Sequence, residues 1–116
     1  MVHLLTAVER MPLPYAPPLG YGTQSIGTIT GGIRPNIVPE CCHATIDRRV
    51  VGGETVESVQ REFQRVITLV KQQIPALRAE CNIQPPFYAS YIEADSPLVR
   101  IAQKAALSVG YQPEVG

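Results

Sequence analysis

The residues in this sequence that could do chemistry gather around one corner. Gly31-Gly32-Ile33-Arg34-Pro35-Asn36-Ile37-Val38-Pro39 runs straight into Cys41–Val51. Adjacent glycines permit backbone angles closed to other residues, and Pro35 and Pro39 each fix φ and withdraw an amide donor. Between the prolines sits Asn36, whose amide offers two donors and an acceptor. It has two readings: a turn residue satisfying its own backbone, or a donor to a substrate oxygen. After Pro39 the chain alternates, with Ala44, Ile46, Arg48 and Val50 on one side and His43, Thr45, Asp47 and Arg49 on the other. Arg48 therefore shares a face with apolar residues. If that face is buried, its guanidinium needs a structural carboxylate such as Asp47 or Glu40, or a ligand carboxylate held in its fork.

Other chemistry is thinly supported. His3 and His43 have no serine or cysteine at a recognisable motif spacing, and Glu54, Glu57 and Glu62 read as a solvated helix face. No GxGxxG or GxxxxGK follows the glycine pair, and no HExxH, HxD or CxxC is present. Cys41 and Cys42 are strand neighbours pointing to opposite faces, ill placed to share one metal; with Cys81 they read as reduced thiols.

The rest of the chain must position that corner. Its 116 residues suit one domain, and 45% hydrophobic content suits a globular one. Ten basic residues balance ten acidic ones, leaving no field to gather nucleic acid or an anionic membrane. No apolar run approaches the roughly 20 residues that span a bilayer, and the start lacks the basic leader of a signal peptide. The cytoplasm is the expected compartment.

His3–Met11 reads as a short helix stopped by Pro12, with Leu4, Leu5 and Val8 on one face. Pro12–Gly20 reads as a proline-rich connector, and Tyr21–Thr30 as a strand with Thr23, Ser25, Gly27 and Ile29 alternating against Gln24, Ile26 and Thr28. Gly52-Gly53 ends the second strand and Thr55 caps a helix, in which Val56, Val59, Phe63, Val66, Ile67, Val70 and Ile74 recur at three- and four-residue steps. Arg78–Gln84 and Phe87–Asp95 read as extended. Ser96-Pro97 opens a last helix with Leu98, Ile101, Ala102, Ala105 and Val109 as its stripe and Gly110 at its end. The order helix, strand, strand, helix, strand, helix predicts an α+β two-layer sandwich, an antiparallel sheet with helices on one face. A strand ahead of the first helix, which a βαββαβ unit requires, is missing, so the chain is expected to be a fragment with an open sheet edge beside Tyr21–Thr30.

Ile29–Val59, ITGGIRPNIVPECCHATIDRRVVGGETVESV, resembles a segment of the zinc-dependent aminoacylase and carboxypeptidase family, which includes acetylornithine deacetylase, succinyl-diaminopimelate desuccinylase and glutamate carboxypeptidase. Glycine pair, Asn, Val-Pro, Asp-Arg-Arg and Gly-Glu-Thr follow in that family's order. His3–Met11 is similar to its first lid helix, and Ala94–Gly116 to the return into its catalytic domain. The resemblance implies a ferredoxin-like lid and dimerisation domain over residues 1–94, lacking its first strand, with 95–116 as the first helix of a catalytic half. It implies two zinc (or cobalt) ions in a parent enzyme that hydrolyses an N-acyl or peptide amide beside a carboxylate, a homodimer formed through the lid, and no activity in this piece alone. Asn36 would bind substrate or polarise its carbonyl, and Arg48 would hold its carboxylate. No residue of this chain is carried over as a catalytic group or metal ligand; the family's lid histidine lies in the missing strand, and His3 is not its counterpart. Gly52 departs from the family's usual Pro, and Arg34 occupies a variable position. The competing expectation is a free-standing α+β dimerisation module without catalysis.

Overall fold

The computed structural model describes residues 1–84 and 88–114. Helix α1 spans Val2–Glu9 and buries Leu5 and Val8, with Leu4 half-buried beside them. The proline-rich connector holds a small ladder absent from the sequence reading: β1 (Tyr15–Ala16) pairs antiparallel with β2 (Gly20–Tyr21). Two-residue strands are too short to show a period. They are joined by a cross-strand aromatic pair instead, Tyr15 and Tyr21 meeting edge to face with centroids 5.0 Å apart.

The main sheet is an antiparallel hairpin of β3 (Thr23–Gly31) and β4 (Cys42–Arg49). Burial along β4 alternates as the sequence demands: Ala44, Ile46 and Arg48 are half-buried, while His43, Thr45, Asp47 and Arg49 are exposed. Along β3 the register shifts between Ile26 and Thr28, so Gly27 is the extra residue of a bulge. The bulge moves Thr28 off the face it was expected to share with Gln24 and Ile26. It now lies opposite Thr45 on the open face, the two hydroxyls 2.6 Å apart. Close packing fixes two glycines: a Cβ on Gly31 would meet Cys42 Sγ at 2.9 Å, and one on Gly22 the carbonyl of Arg49 at 3.1 Å.

Helix α2, Val56–Gln73, forms on the predicted apolar stripe and buries Val59, Phe63, Val66, Ile67 and Val70. Thr55 caps it reciprocally with Ser58, the Ser58 N–H donating to Thr55 Oγ1 and the Thr55 N–H to Ser58 Oγ. Backbone N–H donation at this helix start, and then the Thr55 hydroxyl, hold the Glu57 carboxyl below the usual range. The core joins Val8 to the α2 stripe, and Leu4, Met11, Ile46, Val50, Leu77, Cys81 and Ile83 pack against it. Both helices thus cover one face of the hairpin, giving the expected two-layer α+β arrangement.

The third strand does not form among the described residues. From Leu77 to Gln84 the chain is extended and alternates half-buried with exposed residues, yet it joins no ladder. Its apolar side chains reach the core but its backbone has no strand to pair with. In the second extended stretch, Tyr88–Ile92 is also unpaired, and Phe87 lies outside the described residues. Helix α3, Pro97–Ser108, has the expected Ser96 cap and Pro at its first turn, and Gly110 ends it at φ 84°. It buries nothing: Leu98 and Ile101 are more than half exposed. All three cysteines are free thiols, and burial pushes that of Cys81 up.

Val66 lies on the buried face of α2 in the core shared with Val8, so Val66→Asp places an unpaired charge there and costs several kcal/mol, roughly 3–5. Its cooperative thermal transition should vanish by circular dichroism; an unchanged melting curve would show that the buried face is assigned wrongly.

Candidate functional site

The inward face of β4 ends in a charge. Arg48 Nη2 donates to Glu54 Oε1 at 2.5 Å and to Glu62 Oε2 at 2.8 Å, and only 4% of the Arg48 side chain is exposed. Glu54 does two jobs, because its other oxygen accepts the Val51 N–H at 2.8 Å. That contact fixes the turn through Gly52 and Gly53, the latter in the left-handed region at φ 89°. Gly-Gly-Glu-Thr is therefore a joint: Gly53 reverses the chain, Glu54 ties the turn to β4, and Thr55 caps α2. Across the ladder from Arg48, Gln24 donates to the Val8 carbonyl and fastens α1 to the same place.

This geometry gives Arg48 two structural partners. Neither Asp47 nor Glu40 is its partner. Asp47 accepts from Arg49 Nε on the opposite face, whereas Glu54 and Glu62 come from the turn and from α2. Glu62, read as part of a solvated face, is drawn half under the sheet by this contact. Both carboxylates meet Nη2 alone, and Nε and Nη1 are buried without a hydrogen-bond partner among the described residues.

Asn36 stands elsewhere. Pro35 and Asn36 are the central residues of a turn closed by the Ile37 N–H donating to the Arg34 carbonyl, and residues 32–41 are all exposed. The Asn36 side-chain amide makes no hydrogen bond among the described residues. Ile33 and Val38 flank it in solvent. From Cys42 to Arg48 is six residues at about 3.3 Å each, so the hairpin tip and the buried guanidinium are separated by roughly 20 Å. The structure does not bring Asn36 and Arg48 to one corner.

The uncovered face of the hairpin was overlooked as a source of site residues. It presents Thr23, Ser25, Thr28, His43, Thr45, Asp47 and Arg49, and the Arg49 side chain is 78% exposed, paired only with the half-open Asp47. A groove of about 370 Å³ runs beside Arg49 and Asp47, walled by Tyr21, Thr23 and Tyr88. The signal was present in the alternation, which sets the second arginine of Asp47-Arg48-Arg49 outward. Among the described residues no group of three His, Cys, Asp or Glu side chains could hold a metal ion. His3 and His43 are both exposed, on α1 and near the tip end of β4. No helix among those residues is long and apolar enough to cross a membrane.

A helix-covered hairpin with an open polar face fits a known class. A family model described as "Peptidase dimerisation domain" matches residues 1–74, and the chain belongs to that family. Over 114 residues it is 26% identical to a protein of Myxococcus xanthus named "Acetylornithine deacetylase". That alignment takes in 97% of this chain and 29% of the relative, so the chain spans under a third of the relative's length. No solved structure matches.

The two glutamates should not be equivalent. Glu54→Ala strands the Val51 N–H and leaves the buried guanidinium with only the part-exposed Glu62, with a loss of roughly 2–4 kcal/mol. Glu62→Ala removes a carboxylate one-third exposed, with a loss on the order of 1–2 kcal/mol. Urea denaturation should rank them in that order; equal losses would refute Glu54 as the joint.

Proposed function

We propose that residues 1–94 form the dimerisation and substrate-covering lid of a zinc-dependent hydrolase that cleaves an N-acyl or peptide amide beside a carboxylate, in the cytoplasm, and that residues 95–116 begin its catalytic domain. The observation that carries this reading is the two-sidedness of the hairpin: α1 and α2 seal one face, while the other face and the Asn36 tip stand free. In this reading the tip enters the substrate cleft and the Asn36 amide donates to the scissile carbonyl. Arg48 acts from beneath as the anchor of the sheet, and Arg49, one residue further along β4, lies too far from the tip to share one small substrate with Asn36. The metal ions lie in the catalytic domain, where they would activate water. The uncovered apolar stripe of α3 is buried within that catalytic domain in this reading.

Among the described residues β3 and β4 pair only with each other, which leaves both outer edges of the hairpin open. Open edges recruit strands. In the parent enzyme one edge takes the strand expected ahead of α1, and the lid pairs with its counterpart in a homodimer. The 116-residue chain alone should sediment as a dimer or larger species; a compact monomer at high concentration would oppose this.

The lid assignment is tested in the full-length parent. Arg49→Gln, on the open face far from the tip, should leave both KM and Tm unmoved. Asn36→Ala should lower kcat about 100-fold, the scale of one lost donor to a polarised carbonyl. Unchanged kinetics in Asn36→Ala would favour the second reading, a free-standing dimerisation module without catalysis. The isolated chain given zinc and an N-acetyl amino acid is expected to show no hydrolysis under either reading.

A further inference from the structure

We draw no further inference here: the strongest candidate, the groove between Tyr21, Asp47, Arg49 and Tyr88 at the far end of the hairpin, belongs to the site already described.

Discussion

One buried cation holds this domain together. The guanidinium of Arg48 lies under the hairpin, where an unpaired charge would be costly, and two carboxylates from neighbouring elements meet its Nη2 while Nε and Nη1 find no partner among the described residues. Glu54 reaches it from the turn that β4 runs into, and Glu62 from the second turn of α2. Because Glu54 also accepts the Val51 N–H, one carboxylate sets both the path of the chain leaving the sheet and the point where α2 begins. The Thr55 cap and the left-handed Gly53 finish that joint. A hydrophobic stripe alone would press α2 onto the sheet without choosing where along the strand it starts. The ion pairs choose.

From that anchor the division of faces follows. Strand alternation gives adjacent residues opposite fates: Arg48 is locked beneath while Asp47 and Arg49 are turned out to water. The sealed face carries stability through Val59, Phe63, Val66 and Val70 packed with Val8. The open face carries hydroxyls and charges that packing does not use. Surfaces built this way serve function because their residues are positioned by a rigid layer yet have few obligations within it.

Much of this was legible in the amino-acid order. The α2 stripe and its Thr55 cap predict the helix closely, because three- and four-step recurrence leaves little room for another structure. The β4 alternation correctly puts Arg48 with Ile46 and Val50. Its partners were not legible, since Glu62 belongs to another element and its approach depends on how α2 is rotated over the sheet. Leu77, Cys81 and Ile83 show a strand's period without a strand's ladder, because period reports burial while a ladder needs a neighbouring backbone. The expected meeting of Asn36 with Arg48 failed on length: the prolines correctly place Asn36 in a turn, but the intervening strand carries the two residues apart.

The bulge at Gly27 also constrains how the hairpin can change length. Everything beyond it, through the tip, is half a pleat out of phase with everything before it. Removing that single residue would restore a regular ladder and leave Thr28 opposite Thr45 on the water side, whereas removing a residue elsewhere in β3 would turn everything beyond it to the other face. The interval from Thr23 to Asn36 is consequently counted in whole residues rather than in ångströms, and length variation is better absorbed within the loop between Gly32 and Cys41.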